Sequence, residues 1–112
     1  MFRPKRPLTL DNLTKEQVPN DSGVYIVYTR HDGRPYYVGR SRVSMRARLM
    51  AHAQRRGSRK IREGLDRGWL FDFEWEAMIS PEQAEAQLIE RLGKVLAGNL
   101  RAETDPVDWL NI

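Results

Sequence analysis

Apolar and polar positions change period several times along this chain, and each change marks an element. The first twenty residues are rich in proline and polar groups, with Leu8, Leu10, Leu13 and Val18 spaced to pin them to a domain surface. Pro19-Asn20-Asp21-Ser22-Gly23 is a turn cluster, and Val24-Tyr25-Ile26-Val27-Tyr28-Thr29 after it has strong β preference. His31-Asp32-Gly33-Arg34-Pro35 carries an Asp-Gly turn signal, and Tyr36-Tyr37-Val38-Gly39 reads as a returning strand. Together they predict an antiparallel hairpin. Only one of Tyr36 and Tyr37 is then expected on a given face, because adjacent strand residues point to opposite sides. Residues 44–55 predict a helix with a narrow stripe of Met45, Leu49 and Ala53. Gly57-Ser58 breaks it, Ser58 caps a second short helix to about Arg67, and Gly68 ends that one.

Trp69, Phe71, Phe73, Trp75 and Ala77 alternate with Leu70, Asp72, Glu74, Glu76 and Met78, a third strand with one buried and one acidic face. Ser80-Pro81-Glu82-Gln83 is a helix start, with Ser80 as cap and Pro81 in the first turn. That helix is expected to reach about Ala97, where Gly98-Asn99 ends it. Its apolar positions, Ala84, Leu88, Ile89, Leu92, Val95 and Leu96, span about 140° at about 100° per residue. The order strand, strand, helix, helix, strand, helix predicts a small α/β (α+β) domain. Its expected core is a three-stranded, mostly antiparallel sheet flanked by helices.

The 112 residues suit one domain and contain no cysteine. A disulfide framework, a thiolate metal site and a cysteine nucleophile are all excluded. No apolar run approaches the ~18 residues of a membrane span, and Met1 to Pro7 is basic without an apolar signal core. The expectation is a cytoplasmic protein that does not engage a membrane. Charge changes the picture more. The net charge is +4, yet residues 40–67 hold ten basic and two acidic groups, and residues 68–112 hold three basic and nine acidic ones. A basic segment of that density fits either a polyanion-binding surface or a solvated helical face.

The hairpin carries Gly23-Val24-Tyr25 on one strand and Tyr37-Val38-Gly39 on the other, with eleven residues between the tripeptides. In this the chain resembles the GIY-YIG nuclease family, over residues 23 to about 99. The resemblance implies an N-terminal extension over 1–22, a nuclease-like domain over 23–99 and a tail over 100–112. It implies catalytic roles for Tyr25 and Tyr37, with Tyr36 the weaker candidate for the second tyrosine. Gly39 and Arg40 fall where the family approaches a phosphate, with Ser41 next. Arg46-Ala47-Arg48-Leu49 resembles the family's Arg-x-Arg-Leu pattern, which assigns the catalytic arginine to Arg48 and leaves Arg46 as an alternative. His52 follows Arg48 by four residues, on the same helical face. Both flank the apolar stripe, so both are expected at the edge of the packed surface.

The resemblance also implies a metal-binding glutamate on the last helix. Taking Ala84 as zero, Glu85 lies at about 100°, inside the apolar face, and Glu90 at about 240°, opposite it. A carboxylate on an apolar face needs a partner, and a cation is one. Glu85 is therefore preferred as ligand, with Glu90 the alternative. Asn99 falls where the family often has an asparagine near substrate.

These parts imply hydrolysis of a DNA phosphodiester with one Mg²⁺ or Mn²⁺, and a water activated by Tyr25 or Tyr37 with His52 nearby. Arg55, Arg56, Arg59 and Lys60, with Arg62, are expected to follow the DNA backbone without reading bases. Base specificity is then weak, or supplied by a homodimer or a partner protein. Two other readings stay open: a nucleic-acid-binding module of the same fold without activity, and an interaction protein whose Arg-rich helix meets an acidic partner.

Overall fold

β-Branched and aromatic residues run without interruption from Val24 to Thr29, and they form most of one of the two inner strands of the sheet. The computed structural model describes residues 5–15 and 18–92. In chain order the elements are β1 (Arg6–Pro7), α1 (Leu10–Lys15), β2 (Gly23–Thr29), β3 (Pro35–Ser41), α2 (Met45–Ala53), α3 (Arg59–Asp66), β4 (Phe71–Ala77) and α4 (Pro81–Leu92). The class is α+β, with a four-stranded antiparallel sheet in the order β1-β4-β2-β3. Three strands are those the pattern predicts. The fourth corrects the expected count: Arg6 and Pro7 pair with Phe73 and Asp72, and Leu8 N–H extends the contact to the Phe71 carbonyl at 2.8 Å. Pro7 has no N–H to give a ladder, so the strand stays too short to register as a pattern. It covers backbone of β4 that would otherwise be an open edge.

Leu8, Leu13 and Val18 are buried and pin the N-terminal segment as expected, whereas Leu10 is 43% exposed. The hairpin turn closes through Gly33 N–H to the Thr29 carbonyl at 2.8 Å, with Gly33 at φ +68°. Ser44 caps α2 by accepting from Ala47 N–H at 3.0 Å, a contact of about 1 kcal/mol. The far end of α2 closes in a Schellman motif, with Arg56 N–H on the Ala51 carbonyl and Arg55 N–H on the His52 carbonyl. Arg55 occupies the left-handed position there, at φ +64°, where glycine is usual.

The sheet divides the core in two. On one face Tyr25, Val27, Tyr37, Phe71 and Phe73 pack with Leu13, Val18, Met45, Leu49 and Ile61. On the other, Val24, Ile26 and Val38 pack with Leu88 and the half-buried Ala84, Ile89 and Leu92 of α4. The acidic residues of β4 share this second face: Glu74 accepts from the Tyr28 hydroxyl at 2.6 Å, and Asp72 pairs with Arg30 at 3.1 Å.

The β2–β3 register contains a bulge. Val27 faces Tyr37 but Tyr28 faces Pro35, so Tyr36 is the extra residue. This corrects the expectation that the two tyrosines part to opposite faces: both enter the same core. They still separate within it. Tyr36 packs on Phe71, 5.3 Å between ring centres, and donates its hydroxyl to the Lys60 carbonyl, while Tyr37 packs on His52 at 5.1 Å. Among the described residues no helix is long and apolar enough to cross a membrane.

Candidate active site

Tyr25 stands at the middle of β2, directly across from Gly39 of the edge strand β3. The missing side chain at Gly39 is what lets the phenol lie over that strand. A Cβ there would fall 2.4 Å from both Cζ and Oη of Tyr25. The ring therefore reaches across β3 toward the sheet edge.

Three further groups meet it there. His52 from α2 places Nε2 2.7 Å from Tyr25 Oη, and its ring packs edge-on to Tyr25 at 5.6 Å. Tyr37 completes the aromatic cluster, 6.3 Å from Tyr25 between ring centres. Arg48, one turn before His52, brings its guanidinium close enough for its charge to act on the Tyr25 hydroxyl. Arg48 is only 1% exposed and His52 fully buried, so neither lies at the edge of the packed surface as the stripe predicted. The buried side of α2 is wider than its apolar stripe, because the turn after the helix folds back over it. Gly57 and Ser58 of that turn touch the imidazole: Ser58 N–H donates to His52 Nδ1 at 3.0 Å.

The carboxylate arrives from the other face of the sheet. Arg40 pairs with Val24 in register and so points toward α4, where its Nε lies 3.1 Å from Glu85 Oε1. The contact is an ion pair rather than a well-aligned hydrogen bond. Glu85 is 6% exposed, and its Oε2 is buried and accepts no hydrogen bond. Glu90 is exposed. Arg40, with 23% of its side chain exposed, is where the cluster meets the surface.

Electrostatics follow from burial. Desolvation is the main cause that pushes the Tyr25 hydroxyl well above its usual value; Tyr37 and Glu85 add to this, and the Arg48 charge opposes it. Desolvation likewise holds His52 well below the ordinary imidazole range, with the Arg48 charge acting in the same direction. At neutral pH the cluster contains a neutral imidazole and a protonated phenol beside Arg48.

Tyr25, Tyr37, Arg48 and His52 are thus brought together on one face from β2, β3 and α2, with Gly39 beneath the Tyr25 ring, while Arg40 and Glu85 meet on the other face from β3 and α4. Arg46 is directed elsewhere, donating Nε–H to the Val18 carbonyl at 2.8 Å. Arg55 is engaged with Asp66 at 2.9 Å, and Arg56 with Gln54. Arg59 and Lys60 lie 4.0 and 3.6 Å from Glu63. These are surface contacts whose cations remain available to an anion. Ser41 serves the backbone, its Oγ accepting from Val43 and Ser44 N–H. Asn99 lies outside the described residues, as do the end of the last helix and the tail over 100–112.

The pattern had no means of finding the Ser58 amide. Gly57-Ser58 was legible as a helix break and cap, but a backbone N–H aimed at an imidazole leaves no signature in residue type.

No family model, no curated protein and no solved structure matches this chain.

Proposed function

We propose that the chain is a divalent-metal-dependent endonuclease hydrolysing DNA phosphodiester bonds, with its site at Tyr25, Tyr37, Arg48, His52 and Glu85. The observation that carries this reading is a phenol, an imidazole and a guanidinium gathered at Tyr25, with the buried, ion-paired carboxylate of Glu85 close enough across the sheet for its charge to act on that phenol. That set suits phosphoryl chemistry: cations for the phosphate oxygens, an oxygen base for water, and a hard ligand.

Glu85 would hold the metal. No group of three or more His, Asp or Glu side chains able to hold an ion is present among the described residues. One carboxylate completed by water and phosphate oxygens is, however, an ordinary Mg²⁺ arrangement, and the buried Glu85 Oε2 fits it. When bound, Mg²⁺ or Mn²⁺ supplies Lewis-acid stabilisation of the charge that develops on the phosphate. Arg48 and Arg40 bind phosphate oxygens, and Tyr25 Oη takes the proton of the attacking water. The phenol is protonated in the state described, so this role requires it first to ionise, with its proton passing to solvent water before the attacking water gives up its own. Glu85 is one of the charges that disfavours ionisation, and neutralising it favours the phenolate.

The test is nicking of supercoiled plasmid by purified protein with and without Mg²⁺ or Mn²⁺. Metal-dependent nicking, abolished by Glu85→Ala and retained by Glu90→Ala, is the expected result. Intact DNA binding without metal-dependent cutting refutes the enzyme and leaves the binding-module reading. Loss of cutting in Glu90→Ala alone reassigns the ligand.

A further inference from the structure

The Tyr25–His52 contact has a direction, and the backbone of the α2–α3 turn sets it. Ser58 N–H lies 3.0 Å from His52 Nδ1 and can only donate. Nδ1 must therefore carry a lone pair. A neutral imidazole with its lone pair on Nδ1 carries its proton on Nε2, and Nε2 is the atom 2.7 Å from Tyr25 Oη. We propose that Ser58 locks His52 in the Nε2–H tautomer, so that His52 donates a hydrogen bond to Tyr25 and cannot accept its proton. The tautomer stands on geometry alone; its part in catalysis rests on the endonuclease reading.

The consequence for Tyr25 is specific. Its oxygen receives Nε2–H from His52, with the positive charge of Arg48 beside it. With Nε2–H donating to the phenol oxygen, the phenol's own O–H is directed away from His52. Proton transfer from Tyr25 to His52 is barred, because Nε2 has no lone pair to receive it. An imidazolium is disfavoured too, since it would set Nδ1–H against Ser58 N–H, donor facing donor. Once the phenol ionises, the same Nε2–H holds the phenolate beside the Arg48 charge. His52 is thus a positioning residue that prepares Tyr25 as an acceptor.

Gly57 makes the lock possible. A Cβ at residue 57 would lie 2.2 Å from His52 Nδ1 and 2.8 Å from Cε1, so any side chain there pushes the turn off the ring. Ser58 itself sits at φ −59° and ψ 133°, a conformation that proline shares. Ser58→Pro therefore deletes the N–H, but it also sets Cδ where the amide hydrogen points and so pushes the imidazole off the turn, while Ser58→Ala keeps the N–H and removes only the hydroxyl that caps α3 at 3.5 Å.

The decisive measurement is the long-range ¹H–¹⁵N correlation pattern of the histidine rings at pH 7, in the full-length chain and in His31→Gln to assign His52. The expected pattern shows Nε2 protonated and Nδ1 bare. An Nδ1–H tautomer, or an imidazolium, overturns the proposal. Ser58→Ala should preserve the pattern and Ser58→Pro should lose the single tautomer; a Ser58→Pro spectrum that keeps it refutes the role of the amide. Should Ser58→Pro fail to fold, the wild-type spectrum still decides the tautomer. Plasmid nicking separates the two readings: an Nε2–H pattern in a protein that never cuts DNA refutes the nuclease and leaves the lock standing.

Discussion

Replacing Gly39 with alanine tests whether close approach at one strand position holds the site together. The new methyl would stand 2.4 Å from Tyr25 Cζ and Oη and 2.8 Å from Cε1, against roughly 3.5–4 Å for carbon atoms at rest. The ring must retreat by about 1 Å, and it is fully buried, so its neighbours must yield as well. Overpacking of this kind costs about 1–3 kcal/mol. Removing a strand glycine returns about 0.5–1 kcal/mol through the unfolded chain. The net destabilisation is thus about 0–2.5 kcal/mol, centred at ~1 kcal/mol, and each kcal/mol lowers Tm by roughly 4–8 °C. The displacement also lengthens the 2.7 Å contact between Tyr25 Oη and His52 Nε2, and a shift of about 1 Å at a reacting group costs of order 10²-fold in rate. Thermal unfolding read as a double-mutant cycle with Tyr25→Leu isolates the cause, since leucine lacks the three atoms that the methyl would strike. Gly39→Ala should destabilise the wild type and be neutral or stabilising in the leucine background. Equal cost in both backgrounds would show that Tyr25 does not occupy the space over Gly39.

Other outcomes follow from single contacts. Arg55→Gly should raise stability by about 0.5–1 kcal/mol in urea unfolding, because Arg55 holds a left-handed conformation and its Asp66 partner is exposed; an unchanged midpoint refutes the strain. Arg40→Ala should strengthen Mn²⁺ binding in calorimetry, because the guanidinium it removes now pairs with Glu85; weaker binding would mean that Arg40 organises the carboxylate instead. The depressed His52 makes the fold sensitive to acid: its contribution is complete above the unfolded value near pH 6.5 and is lost as pH falls below it, by at most about 1.4 kcal/mol per pH unit. His52→Gln should flatten that slope, and a wild-type stability unchanged from pH 7 to 5 would contradict it. Arg59→Ala with Arg62→Ala should weaken DNA binding across all sequences and shallow its dependence on salt; an unchanged slope removes α3 from the interface.

Legibility in the sequence varied with how local the cause was. The hairpin, both α3 termini and the start of α4 depend on residues a few positions apart, and each was readable from turn, cap and period. The β1 strand was not, since two residues joined to a distant β4 leave no periodic trace. Tyr36 and Tyr37 show a subtler limit. Period-two reasoning holds only for an unbroken ladder, and the bulge opposite Val27 and Tyr28 is a property of the pair of strands. Glu85 was legible as a carboxylate on an apolar face, and it is buried against Arg40. The burial of His52 was not legible, because its cover comes from the turn at Gly57 and Ser58, beyond the helix that carries it.

That cover has an energetic logic. A phenol, an imidazole and a guanidinium replace apolar packing over one part of a sheet face, and each is costly to bury unless its polar atoms are engaged. Here the rings answer one another: Ser58 engages His52, and His52 engages Tyr25, with the Arg48 charge beside them, although Arg48 Nε and Nη1 make no hydrogen bond. With His52 neutral, the charges of Arg40, Arg48 and Glu85 leave the cluster cationic. A cationic patch that meets the surface only at Arg40 gains most from an anion able to bind there, and a phosphodiester has that charge. The same network that offsets the cost of burial therefore also fixes the direction of the hydrogen bond at Tyr25. A substitution that restores packing but removes the donor to Tyr25 and the acceptor for Ser58, such as His52→Phe with its apolar ring, should keep the fold and lose the chemistry. If His52→Phe instead retained metal-dependent nicking within a few-fold of wild type, hydrogen bonding to Tyr25 would be irrelevant to the reaction.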